Sequence, residues 1–196
     1  PLAARHEWYV MPEFSSLDPD GASDLATHLL GEALEAGMID DAAISETLAQ
    51  RDAFWAIRET IPESQNREGP SIKHDISVPI AKIPEFITTV CRELFAFHAG
   101  LRPCVFGHVG DGNLHFNLQA PEGMDEATYL SMADAIHAIV YRHVVELKGS
   151  ISAEHGIGQV KRAQLKATKN PLALDLMRSI KSALDPEGRM NPGKVL

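Results

Sequence analysis

Gly107-His108-Val109-Gly110-Asp111-Gly112-Asn113-Leu114-His115-Phe116-Asn117 sets two histidines and a carboxamide around a tight turn. Asp111-Gly112 is a two-residue hairpin signal, because a type I′ turn requires positive φ at both central positions. Closure there predicts Gly110 opposite Asn113, Val109 opposite Leu114 and His108 opposite His115. Directly paired residues share a face with Cβ atoms roughly 4.5–5.5 Å apart, and the two-residue period of a strand adds Asn117 to the face of His115. Two imidazoles and a carboxamide on one patch are the makings of a metal or polar-substrate site.

Outward from the hairpin, strands (Pro103 to Phe106 and Leu114 to Leu118 in the hairpin itself) alternate with helices. Glu7 to Phe14 is rich in β-formers and predicts a strand, as does the alternation of Ile72, His74, Ile76 and Val78. Helical spacing predicts a helix from Asp20 stopped by Gly37, a second over Asp41 to Ala53, and a third over Ile83 to His98. Residues 54–72, with Pro62, Gly69 and Pro70, predict a loop. The longest helix is expected from Asp125 to Lys148, burying Leu130, Ala133, Ile136, Val140, Val144 and Leu147. Ser150 to Glu154 predicts a short strand. A last helix has Asn170 as N-cap and Pro171 at its first position, ahead of an irregular tail. The order predicts an α+β fold: an antiparallel sheet covered by helices, ferredoxin-like, with a C-terminal helical extension.

Composition bounds the function. The 196 residues are 44% hydrophobic and 23% charged, an ordinary globular balance. A formal net charge of -9 argues against nucleic acid, which wants clustered Lys and Arg. Cys91 and Cys104 form no Cys-x-x-Cys pair and no disulfide framework, so they read as buried free thiols. No apolar run of about 18 residues is present to span a membrane. The chain begins at Pro1 with no signal peptide and reads as a piece of a longer protein.

A second chemical segment is Ser152-Ala153-Glu154-His155-Gly156-Ile157-Gly158. His108, His115 and Glu154 together make a two-His, one-carboxylate set, the ligation of catalytic zinc with an open position. Iron and manganese accept the same set. Bland readings exist for the same residues: the histidines as cross-strand packing partners bonded to backbone, and Glu154 as a solvated carboxylate. The other histidines, His74 and His137 among them, read as surface or satisfied core residues.

The hairpin, the Ser152 to Gly158 segment and the ending Leu184-Asp185-Pro186-Glu187-Gly188-Arg189-Met190-Asn191-Pro192-Gly193-Lys194 together resemble the C-terminal domain of FAD-linked oxidases. These belong to the vanillyl-alcohol-oxidase-type superfamily, in the branch of D-2-hydroxyglutarate dehydrogenase, D-lactate dehydrogenase and the glycolate oxidase flavin subunit. The resemblance covers nearly the whole chain, residues 1–196, as one substrate- and metal-binding domain, and no stretch resembles the family's flavin domain. It implies FAD bound mainly by that other domain, with Asn191 as a cofactor contact, and a divalent metal, usually zinc, on His108, His115 and Glu154. It further implies substrate contacts from Arg58, Lys73 and Asn117, and His155 as general base. Where hydroxyglutarate-type relatives carry a hydroxyl residue a few positions after the Arg, this chain has Pro62, with Ser64 nearby.

The expected function is therefore oxidation of a small D-2-hydroxy acid to a 2-oxo acid, with hydride transfer to FAD. The expected partners are the acid, the flavin domain of the same full-length protein and an electron acceptor. The expected compartment is the cytoplasm, or the mitochondrial matrix in a eukaryote. An isolated fragment is expected to be inactive. From another class, a self-sufficient metal hydrolase uses the same ligand set with His155 activating water. A non-catalytic acid-binding module is a third reading, and a flavin enzyme whose histidines bind substrate without metal is a fourth.

Overall fold

A computed structural model describes all 196 residues, which divide into two compact units, Pro1–Ser64 and Gln65–Leu196. In the first unit, α1 (Gly21–Glu35) closes on Gly37 at φ +64°, with the amides of Ala36, Gly37 and Met38 returning to carbonyls of the last turn. This agrees with the expected helix and its stop. The predicted strand over residues 7–14 is absent: that stretch is irregular and Trp8, Tyr9 and Val10 are exposed. Strand propensity needs a partner ladder, and none is offered to it there.

The second expected helix starts later and runs further. α2 (Leu48–Glu59) begins at Thr47, whose hydroxyl accepts from the Gln50 amide while the Gln50 side chain accepts from the Thr47 amide. That reciprocal capping box sets the boundary. The predicted loop that follows is helical through α3 (Ile61–Arg67), which tolerates Pro62 because a first-turn residue has no intrahelical N–H bond to lose.

The second unit carries the sheet. The predicted strand at Ile72–Ile80 is broken into β1 (Ser71–Ile72) and β2 (Asp75–Ser77), both antiparallel to β4 (Asn113–Gln119) along one edge. β3 (Arg102–His108) pairs with the other edge of β4. Ser150 adds a single antiparallel bridge to Ser77, so the expected strand at 150–154 is reduced to one residue. Between them run α4 (Ile83–Phe97) and the pair α5 (Glu126–Ser131) and α6 (Ala133–Glu146). Strand, helix, two strands, helix and a vestigial strand, all antiparallel, make the split βαβ order expected for a ferredoxin-like sheet.

The expected single helix at 125–148 is thus two, interrupted at Met132. Tyr129 is fully buried, donating its hydroxyl to the Leu118 carbonyl at 2.6 Å, and Leu130 faces out instead. The core lies on one side of the sheet. Leu114, Phe116 and Leu118 of β4 and Ile72 and Ile76 pack against Phe86, Val90 and Leu94 of α4 and Ile136, Val140 and Val144 of α6. Phe97, at the C-terminal end of α4, is exposed. Beyond the sheet come α7 (Arg162–Thr168), which sequence reading missed, and α8 (Pro171–Leu184), capped as expected by Asn170 accepting from the Leu172 amide. Cys91 and Cys104 are free and partly buried.

Candidate active site

The hairpin closes differently from its expected form. Val109–Asp111 forms a 3-10 turn and only Gly112 takes positive φ, at +76°. Asp111 stays right-handed because its carboxylate captures the Asn113 amide at 3.0 Å, the local bond that favours Asp at such turns. The four-residue loop moves the register: His108 pairs with Asn113 and Phe106 with His115. The predicted pairing of His108 with His115 is corrected to a diagonal one. A shift by an even count preserves the face, so both rings still project to the same side, their centroids 6.5 Å apart.

That side is the sheet face opposite the helices. Asp75 of β2 lies directly across from His115, and Ser77 across from Asn113. Beyond the edge of β2, the segment after Ser150 brings Glu154 to the two histidines. Its carboxylate oxygens stand 3.9 Å from His108 Nε2 and 3.7 Å from His115 Nε2. Donor atoms of His108, His115 and Glu154 all lie within 4.8 Å of one another, and so do those of Asp75, His115 and His155. The His155 ring sits 5.8 Å from that of His115, and its side chain is 68% exposed. Phe106 lies against His115 with centroids 5.0 Å apart and walls one side.

Sequence reasoning missed Asp75. It is buried, and its Oδ2 accepts the amides of Ala153, Glu154 and His155 at 3.1, 2.9 and 2.8 Å. Burial pushes its carboxyl up, but the His155 and Glu154 amides and electrostatic interaction with the His155 ring and Lys161 outweigh burial and leave it below the usual range. Lys161 donates its ammonium to the carbonyls of Asp75 and Ile151 at 3.3 and 2.9 Å, and burial lowers its pKa. The available signal was positional: an acid in the strand that pairs with His115.

The remaining candidates separate. Asn117 lies two residues past His115 but is buried, donating to Gln65 Oε1 at 2.8 Å and accepting from the His74 amide at 3.3 Å. Lys73 is exposed and donates to Asn66 Oδ1 at 2.9 Å. Arg58 belongs to the first unit, partly buried in the last turn of α2. Asn191 is exposed in the tail with φ +48°. His74 is a satisfied core residue: its Nδ1–H donates to the Phe116 carbonyl at 2.8 Å, so its Nε2 accepts from His137 Nδ1 at 2.9 Å.

The model of one family, the FAD linked oxidases, C-terminal domain, matches residues 1–195, and the chain belongs to that family. A D-2-hydroxyglutarate dehydrogenase of Xanthomonas citri pv. viticola is 36% identical over 195 residues, covering 100% of this chain and 41% of that protein. A mitochondrial D-2-hydroxyglutarate dehydrogenase of Arabidopsis thaliana is 34% identical, covering 100% of this chain and 34% of that protein. A D-2-hydroxyglutarate–pyruvate transhydrogenase of Saccharomyces cerevisiae is 31% identical, over 100% of this chain and 40% of its own length. The chain thus spans less than half of the curated relatives it matches. No helix is long and apolar enough to cross a membrane.

Proposed function

We propose that this chain is the substrate- and metal-binding part of an FAD-dependent D-2-hydroxyacid dehydrogenase that oxidises a 2-hydroxy acid to a 2-oxo acid. The observation that carries the reading is the convergence of His108, His115 and Glu154 beside His155 in a chain of the FAD linked oxidase family. Tetrahedral zinc with bonds near 2.1 Å wants its donors roughly 3.4 Å apart. The 3.7 and 3.9 Å separations need to close by only a few tenths of an ångström, so the donor set fits a divalent ion. When bound, such an ion supplies Lewis-acid polarisation of the substrate hydroxyl, and the flavin supplies the two-electron acceptor.

The chain's own residues supply the rest. His155, exposed beside the ligand set, takes the hydroxyl proton as the C2–H bond is oxidised. Arg58 forks onto a substrate carboxylate and Lys73 acts as a point charge. Asn117 has one amide N–H beyond its bond to Gln65 for the substrate. Asn191 in the tail is the chain's contact to the flavin.

The names of the relatives make D-2-hydroxyglutarate the first acid to test. Pro62 offers no hydroxyl in the first turn of α3, which puts D-lactate second. The test is dye reduction by the full-length protein with each acid, beside its flavin spectrum and metal content. Acid-dependent reduction by a yellow, metal-containing protein is expected, and a full-length protein without flavin overturns the proposal. The expected compartment is the cytoplasm, or the mitochondrial matrix in a eukaryote, as the name of the Arabidopsis relative suggests.

A further inference from the structure

Asp75 joins the two segments that make the centre. It lies in β2 directly across from His115, and its Oδ2 gathers three successive amides, those of Ala153, Glu154 and His155. Past the bridge at Ser150 the fourth strand keeps one long main-chain bond, from the Ala153 amide to the Asp75 carbonyl at 3.3 Å, and none at the Glu154 and His155 amides. A side-chain carboxylate takes the place of the ladder. Convergence of three N–H groups on one oxygen fixes the backbone of Glu154 and His155, and with it the direction in which both side chains leave the chain.

The Asp75 side chain is 1% exposed, and its Oδ1 is buried without a hydrogen-bond partner. Lys161 offsets the buried charge while tying the carbonyls of Asp75 and Ile151 together, which closes the same segment from its other end. His155 Nδ1 stands 4.0 Å from Oδ2, too far for a hydrogen bond, so Asp75 acts through the backbone of His155 rather than through its ring.

We propose that Asp75 is the positioning residue of the centre, holding Glu154 beside His108 and His115, within a few tenths of an ångström of the spacing a divalent cation requires, and His155 next to it. This rests on the metal reading under Proposed function. Outer-shell partners of this kind set metal affinity by about 10- to 100-fold.

The experiment uses the full-length protein and two substitutions. Asp75→Asn keeps the shape and one acceptor oxygen but loses the charge. Asp75→Glu keeps the charge and moves it by one methylene, so a folded variant is in hand if the first is unstable. The control is Asp185→Asn, which alters another buried carboxylate, one accepting the Arg189 and Met190 amides at 2.8 and 2.9 Å and paired with Lys181. Zinc affinity is read by competition with a chelator, and geometry by the visible spectrum of the Co2+ form.

Both Asp75 variants are expected to bind zinc about 10- to 100-fold more weakly and to change the Co2+ spectrum. Asp185→Asn is expected to lower the melting temperature while leaving affinity and spectrum as in the wild type. Wild-type affinity and spectrum in the Asp75 variants overturn this inference alone. A wild-type protein that takes up neither Zn2+ nor Co2+ overturns the metal reading and this inference with it.

Discussion

His115 stands directly across the sheet from Asp75 on one side and from Phe106 on the other. Its side chain is 16% exposed, whereas that of His108, at the mouth of the hairpin, is 50% exposed. One histidine of the pair is held between a buried anion and an aromatic ring, and the other reaches out from the strand end.

This asymmetry orders the effects of removing donors. His115→Ala is expected to weaken zinc binding by more than the roughly 10- to 100-fold typical of outer-shell changes. His108→Ala and Glu154→Gln should cost less, because both side chains are 50% exposed and water replaces an exposed ligand more readily than a packed one. Metal content after dialysis, measured by elemental analysis, checks the order. Equal loss in all three would contradict it.

His155→Asn is expected to lower turnover by about 10²- to 10⁴-fold, the usual contribution of a general base, with metal content unchanged. The ring is exposed, so folding should be unaffected. Steady-state kinetics with a D-2-hydroxy acid, beside elemental analysis, measures both. Unchanged turnover would remove His155 from the reaction.

Gly112→Ala should destabilise the hairpin. A Cβ there would lie 2.1 Å from the Val78 carbonyl oxygen, at a backbone φ of +76° that side chains rarely adopt. Overpacking and strain together are expected to cost about 1–3 kcal/mol or more, with weakened metal binding because Gly112 sits between the two histidine-bearing strands. Urea unfolding checks the first expectation.

Stability should fall in acid. Burial, then the His137 and Lys161 charges, lowers the His74 pKa from 6.5 to about 3, although its bond to the Phe116 carbonyl opposes this. Between those values the unfolded chain binds a proton that the folded chain refuses, so stability declines as pH falls by about 1.4 kcal/mol per pH unit. Above 6.5 the group has no effect on stability, and below about 3 its penalty is constant. Asp75, held below its usual range, adds a loss at still lower pH as its carboxylate protonates. Urea unfolding at several pH values between 7 and 4 measures the slope, and a flat profile would contradict a buried neutral His74.

Helices whose boundaries rest on local bonds were readable from their residues. Asn170 and Pro171 start α8 and Gly37 stops α1, because caps and positive-φ glycines act within a few residues. The Thr47 capping box is equally local and starts α2 at Leu48, later than the spacing of apolar residues alone predicts. Tertiary contacts decided the misplaced elements. Glu7 to Phe14 has strand composition without a partner, and Tyr129 rather than Leu130 turned inward because its hydroxyl reaches the Leu118 carbonyl.

By itself the sequence determined the shared face of His108, His115 and Asn117, since side-chain alternation survives any even change of register. It also determined the α+β order of elements and the residue types able to hold a metal. Only the tertiary structure decided the register, the diagonal placement of the histidines and the arrival of Glu154 from a segment 39 or more residues away in the chain. It alone revealed Asp75. A carboxylate bonded to amides some 80 residues further on leaves no local pattern, because its partners are main-chain N–H groups that every residue type but proline provides.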